Sequence, residues 1–354
     1  MRLRDNTGET MVSRTRIARR ILAGALLTAG LVAVPTTAGA APAVPAAATP
    51  QSAATSLSPE AAALSADPNT ALERFWTPER IAAAKPADRG VTPEEVRSTA
   101  QTSVLGALDV PGESPVVGGP GEATTFAGAT GTSWPARHDW VSLTNGKVLF
   151  EDNGLWHCSG VVVSTEARNT VFTAGHCVHG GKGGTWHDQN WTFIPDYYYG
   201  DRPRGTWSAR QLWALNGWIN DSDNGYDVGA AVMHPLNGQQ LMDVTGSQGI
   251  RLNGPATPSV WHFGFPLNSP FDGEDLITCD GATSRRFVIT GDLKLACTMQ
   301  GGASGGAWLA DFNQSSGYTV SVNSYHVGDD LTQIYGPYFG DGAKNLYDSV
   351  RNLT

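Results

Sequence analysis

The 354-residue chain predicts an all-β fold over its last two-thirds, an antiparallel barrel or sandwich with one short C-terminal helix. Three observations point there. Short apolar or alternating runs recur from about residue 132, separated by Gly, Asn and Asp: Val148–Phe150, Gly160–Val163, Thr170–Thr173, Val228–Met233, Val260–Phe265, Phe287–Ile289, Ala307–Leu309 and Tyr318–Val322. Helical periodicity is absent until the end, where Ala343, Leu346, Tyr347 and Val350 recur at three- and four-residue spacing. Finally, all four Cys, all eight His and every Trp except Trp76 lie beyond residue 128, so the material for a large core is concentrated there.

The N-terminus reads as an export signal over residues 1–40. Arg14, Arg16, Arg19 and Arg20 precede the apolar run Ile21–Val34, and Ala38-Gly39-Ala40 offers small residues for cleavage. That run is shorter than the ~20 residues needed to span a bilayer. Residues 41–128 follow as a pro-segment and linker. Their first part, to about residue 69, is rich in Ala, Pro, Thr and Ser and is expected to be disordered. Thr77-Pro78-Glu79-Arg80 and Thr92-Pro93-Glu94-Glu95 are helix-start patterns, predicting two short helices that carry Leu72, Phe75, Trp76, Ile81 and Val96. Pro111 to Gly131 reads as a Gly/Pro-rich linker.

A net charge of −9 argues against a nucleic-acid or anionic-membrane partner, because phosphate binding needs a basic surface. Four cysteines in an exported chain are expected to form two disulfides.

Three local patterns carry chemistry. They are Thr173-Ala174-Gly175-His176-Cys177, Tyr226-Asp227-Val228-Gly229, and Gly301-Gly302-Ala303-Ser304-Gly305-Gly306. A serine hydroxyl needs an adjacent base to take its proton as it attacks, and histidine titrates near the working pH. The imidazole needs an acceptor to hold one tautomer, usually a buried Asp. The negative oxygen that develops needs backbone N–H donors, and glycines around the serine let the chain aim them. Ser304 is therefore the expected nucleophile, His176 the general base and Asp227 its orienting acid. Gly302 and Ser304 are expected to supply the oxyanion amides.

These motifs, in the order His, Asp, Ser, resemble the chymotrypsin/trypsin family of serine peptidases. Cys158-Ser159-Gly160, Phe263-Gly264-Phe265-Pro266 and Ser321-Val322-Asn323-Ser324-Tyr325 extend the likeness toward bacterial secreted members related to glutamyl endopeptidases. Phe75-Trp76-Thr77-Pro78-Glu79-Arg80 resembles the pro-region of actinobacterial members. The resemblance implies two six-stranded antiparallel β-barrels, residues 129–240 carrying His176 and Asp227 and residues 241–354 carrying Ser304, with the active site between them. It also implies the disulfides Cys158–Cys177 and Cys279–Cys297. The expected protein is a secreted, extracellular, monomeric endopeptidase acting on polypeptides without a cofactor or metal, kept as a zymogen and free of the membrane once its signal is removed.

Two positions depart from that family. Ala303 stands where trypsin-like zymogens use an Asp to capture a new N-terminus, and Thr298 stands where Arg/Lys-specific enzymes carry a pocket acid. Preference for basic residues is therefore not expected, and activation requires another route. His326 invites a Glu-specific reading, but it follows Ser324 rather than preceding it, so a solvent-edge histidine is the expectation. Three rival functions remain at this level: a Gly-x-Ser-x-Gly esterase, whose Asp and His should follow the serine; a zinc site built on Cys158, His176, Cys177, His179 and His187; and a catalytically silent binding module. Asp221-Ser222-Asp223-Asn224-Gly225 lacks the bidentate Glu of a calcium loop and reads as a polar turn.

Overall fold

Six strands close on themselves around the first core. Asn145–Glu151 pairs with Leu155–Val162, which pairs with Thr170–Thr173, then Gly229–Met233, then Trp207–Leu215. Trp207 and Ser208 pair with Phe193 and Thr192 of Gln189–Pro195, and that strand returns to Asn145–Glu151, completing the ring. Every pairing in it is antiparallel. Val161, Phe172, Phe193, Leu212 and Val232 are fully buried, the β-branched and aromatic types that suit a pleated interior. The computed structural model describes residues 44–115, 128–286 and 291–354. The export signal, most of the Gly/Pro linker and the Phe287–Ile289 run lie outside the described residues.

The second half is a barrel built from two sheets. In one, Ala307–Ala310 lies between Tyr318–Val322 and Ser259–Gly264, which pairs on its other side with Ile277–Ala282. In the other, Asp330–Pro337 lies between Asp292–Ala296 and Tyr325–Val327. The disulfide Cys279–Cys297 staples the two sheets, and Cys158–Cys177 ties the first barrel to the turn carrying His176. The terminal helix Asp341–Val350 buries Ala343, Leu346, Tyr347 and Val350 as the spacing predicts. The Tyr347 hydroxyl donates to the Ser164 carbonyl at 2.9 Å, so this helix returns to the first barrel.

The region expected to be disordered is ordered wherever it is described. Pro50–Ala54 runs antiparallel to Trp207–Leu215 and extends the first barrel's sheet. Three short helices follow, Pro59–Ala62, Pro68–Phe75 and Pro78–Ala83, each with Pro in its first turn behind a capping Ser58, Asp67 or Thr77. The Thr92 pattern makes only a turn, in which Thr92 and Glu95 exchange hydrogen bonds. Leu108–Val110 pairs with Gly249–Leu252. Composition misleads here because this segment needs no core of its own. Leu72, Phe75, Trp76 and Ile81 are buried against the barrels, and the Trp76 indole donates to Thr192 Oγ1 at 2.8 Å. Each such side chain contributes roughly 1.5–3 kcal/mol.

Between its helices and its last strand, this segment crosses the cleft. Lys85–Pro86 pairs with Trp156 and His157 of the first barrel, and Gly90–Val91 pairs with His326 and Val327 of the second.

Candidate active site

Each expected residue sits at the end of a strand that aims it into the cleft. His176 rides on the short turn Gly175–Cys177 that follows Thr170–Thr173. Asp227 closes the turn Asn224–Tyr226 just ahead of Gly229–Met233. Its Oδ1 accepts from the His176 backbone N–H at 2.7 Å and its Oδ2 from Nδ1–H at 2.8 Å. A side chain at Gly175 would stand 2.8 Å from Asp227 Oδ1, so only glycine admits this approach. Burial alone would raise the Asp227 pKa. The facing His176, the Arg89 guanidinium and the Ser324 hydroxyl outweigh it and hold the group below the usual carboxylate value.

Ser304 lies on a tight loop. Ala303 N–H donates to Gln300 O and Gly306 N–H to Ala303 O, each at 2.9 Å, while Ser304 O accepts from Ser159 N–H at 2.7 Å. Gly302 and Gly305 take φ of 90° and 83°, which glycine reaches without strain. Ser304 Oγ donates to the carbonyl oxygen of Ala87 at 3.1 Å, and His176 Nε2 meets that same oxygen at 3.1 Å. His176 and Ser304 thus converge on one peptide carbonyl, which the segment crossing the cleft supplies, with Asp227 behind the imidazole.

Other groups were harder to foresee. Ser324 donates to Asp227 Oδ2; its only signal was the Ser-Val-Asn-Ser-Tyr phrase. Trp218 packs beside His176, with ring centroids 6.1 Å apart, and Arg89 lies over it at 4.3 Å. Arg89 NH1 also approaches Asp227 Oδ2 to 3.7 Å. His326 is not at a solvent edge. It is 9% exposed, and its Nε2 faces Asp88 Oδ2 at 3.4 Å because the crossing segment covers it. The Asp88 hydrogen bond raises the His326 pKa. Burial would raise that of Asp88, but His326 prevails and lowers it.

Thr298 Oγ1 accepts from Gly131 N–H at 2.9 Å, and Ala303 is buried against Gly264. Asp223 accepts from Gly225 N–H at 3.0 Å and from Thr99 N–H at 2.9 Å, a polar turn that also grips the N-terminal segment. Cys158, His176 and Cys177 place donor atoms within 4.8 Å of one another, but the two sulfurs are bonded to each other and offer no thiolate. His187 Nδ1 faces Asp152 at 2.8 Å, and His179 Nδ1 accepts from Gly181 N–H at 3.0 Å. The esterase elbow does not fit this fold, since the Ser304 loop leads into an antiparallel strand, Ala307–Ala310, and both partners precede it.

No family model matches the chain. Among solved structures it is similar to the protease Anisep from Arthrobacter nicotinovorans, with 36% identity and a TM-score of 0.58 over 63% of this chain and 100% of that one. The thermostable serine protease AL20 from an extremophilic microorganism matches at 32% identity and a TM-score of 0.58, over 61% of this chain and 100% of the other. This chain belongs to the trypsin-like serine peptidase family. A Glu endopeptidase shares the fold at 17% identity and a TM-score of 0.51, over 65% of the peptidase and 100% of its own chain. An extracellular metalloprotease of Bacillus subtilis (strain 168) is 31% identical over 121 residues, which is 32% of the peptidase. The peptidase spans only 34% of that protein's length.

Proposed function

We propose that this peptidase is a secreted endopeptidase whose own residues 85–91 hold it latent until they are removed. The observation that carries the proposal is the Ala87 carbonyl, whose oxygen is shared by Ser304 Oγ and His176 Nε2. In catalysis Ser304 Oγ attacks the scissile carbonyl carbon and its proton passes to His176 Nε2. Asp227 stabilises the resulting imidazolium. The amides of Gly302 and Ser304 take the oxyanion, and His176 returns the proton to the leaving amine, leaving an acyl-enzyme on Ser304. Water then enters by the same route and releases the acid.

Ala87 makes none of this chemistry. Attack requires the carbonyl carbon at Oγ with the oxygen turned to the two amides. The Ala87 oxygen instead occupies the nucleophile and the base. It also places both imidazole nitrogens against oxygens, Asp227 on one side and Ala87 on the other, so Nε2 faces Ala87 where a substrate-bound Ser304 would need it. The segment is an obstruction rather than a substrate.

Two disulfides fit an oxidising compartment, and no helix among the described residues is long and apolar enough to cross a membrane. Beside the obstruction a cleft of about 330 Å³ remains, lined by Phe150, Trp156, His176, His187 and Trp218. That is room for a substrate on the far side of the base. Thr298, uncharged and already bonded through Oγ1, favours no basic side chain.

The test is digestion of a mixed peptide library by the full-length chain before and after limited proteolysis, with Ser304→Ala as control. Cleavage that appears on processing and is absent in Ser304→Ala is expected. Identical patterns from the processed wild type and the control would refute the enzymatic reading, and equal rates before processing and after the cleaved segment has been removed would refute latency.

A further inference from the structure

An oxyanion hole is only as good as the peptide planes that aim its N–H groups, and those of Gly302 and Ser304 belong to two planes of a glycine-rich loop with a third between them. The plane joining Gly301 to Gly302 is held by its carbonyl, which accepts from Leu267 N–H at 2.6 Å. The plane joining Ala303 to Ser304 is held by its carbonyl, which accepts from Gly306 N–H at 2.9 Å. Both anchors are backbone. Between them lies the Gly302–Ala303 plane, whose N–H donates to Gln300 O. Its carbonyl is held by a side chain: Ser159 Oγ donates to Gly302 O at 2.9 Å. This plane hinges on Gly302, which has φ 90° and no Cβ.

Ser159 is not free to turn either. Its Oγ accepts from Phe265 N–H at 2.9 Å, so its single proton is committed to Gly302. Two residues earlier on the strand Leu155–Val162, and therefore on the same face, His157 Nε2 donates to Phe265 O at 2.8 Å. The His157 ring fills the space where a Gly302 side chain would stand, with Nε2 only 2.4 Å from that position. Both residues are 1% exposed. Burial and the nearby Lys147 push the His157 pKa down to about 3, so the ring stays neutral across the working range.

We propose that Ser159 and His157 are positioning residues for the oxyanion hole: one strand of the first barrel grips Phe265 and Gly302 together and locks the loop of the second. The inference rests on Ser304 being the nucleophile. It supplies the activation route that Ala303 leaves open. A buried alanine has no charge with which to recruit a new N-terminus, and the loop needs none, because the clamp is already in place beneath the obstructing segment. Removing residues 85–91 then suffices.

The test compares Ser159→Thr with Ser159→Val, which share a shape and differ in the hydroxyl, in the full-length chain after limited proteolysis and active-site titration. Removing one oxyanion donor outright costs about 10²–10³ in kcat. Turning the Gly302–Ala303 plane, which joins the two donor planes, is therefore expected to lower kcat about ten- to a hundredfold in Ser159→Val, with KM within about threefold. Inhibition by a peptide aldehyde, whose hemiacetal oxygen needs the same amides, should weaken in step with kcat. Ser159→Thr should keep near-wild-type values. If Ser159→Val does not accumulate, Ser159→Ala serves in its place. Unchanged kcat without the hydroxyl, a loss confined to KM, or an equal loss in Ser159→Thr would overturn the clamp. Processed wild type no more active than Ser304→Ala would instead overturn the nucleophile assignment beneath it.

Discussion

Replacing Arg89 by Ala should loosen the obstruction without touching the barrels. The guanidinium sits over Trp218 at 4.3 Å and reaches Asp227 Oδ2 at 3.7 Å, with its side chain 19% exposed. A partly desolvated cation–π contact contributes about 0.5–2 kcal/mol. The Coulomb attraction at that separation is about 4 kcal/mol for an effective dielectric of about 20. Most of that attraction is offset, because Asp227 is already matched by His176 and NH1 is buried without a hydrogen-bond acceptor. A net loss of roughly 1–3 kcal/mol follows, which raises the open fraction about five- to 150-fold. The assay is the rate at which a fluorophosphonate labels Ser304 in the full-length chain, with the processed enzyme as ceiling. Arg89→Lys, which keeps the charge but not the planar stack, should fall between. Wild-type labelling rates in Arg89→Ala, while the processed enzyme labels fast, would show that residues 85–91 do not guard the site.

The Asp88–His326 contact makes latency depend on pH. Since the latched state raises the His326 pKa and lowers that of Asp88, the contact is strongest between the ordinary carboxylate and the ordinary histidine values. It fades as pH climbs from there through the raised histidine value, so labelling of the full-length chain relative to processed enzyme should rise from pH 6 to 9, and Asp88→Asn should start higher and run flatter. Trp76→Ala removes a wholly buried indole at a cost of about 3–5 kcal/mol; proteases should then nick residues 44–115 faster while leaving the barrels intact. The double variant Cys158→Ala/Cys177→Ala opens a loop of sequence separation 19 and should lose about 3 kcal/mol in denaturant unfolding.

The candidate site is legible because the proposed chemistry dictates residues locally. Gly175 must be bare for Asp227 to reach His176, and Gly302 and Gly305 must tolerate positive φ, so short motifs survive in the chain. Strands such as Thr170–Thr173 and Ala307–Ala310 were legible from apolar runs. Trp207–Leu215 was not, because Ser208, Arg210 and Gln211 interrupt its pattern while its backbone pairs on both sides. The same backbone pairing explains Pro50–Ala54. A sheet edge recruits N–H and C=O groups that every residue carries, so Ala-rich composition hides the strand. The burial of His326 leaves no local signature, because Asp88, which faces it, lies on a distant part of the chain. Ser159 stood in plain view within Cys-Ser-Gly, yet its partner, the Gly302 carbonyl, has no side-chain signature.

The attachment of residues 44–115 at many separate places bears on how the enzyme can be switched on. Pro50–Ala54, the Phe75–Trp76 pair, Lys85–Pro86, Gly90–Val91 and Leu108–Val110 each dock on their own patch. One cut after residue 91 changes none of those contacts. It only replaces an intramolecular equilibrium, governed by a tether's effective concentration, with a two-molecule one governed by dilution. A nicked peptidase at high concentration should therefore stay silent, and wake either when diffusion thins it out or when further cuts shred the fragment.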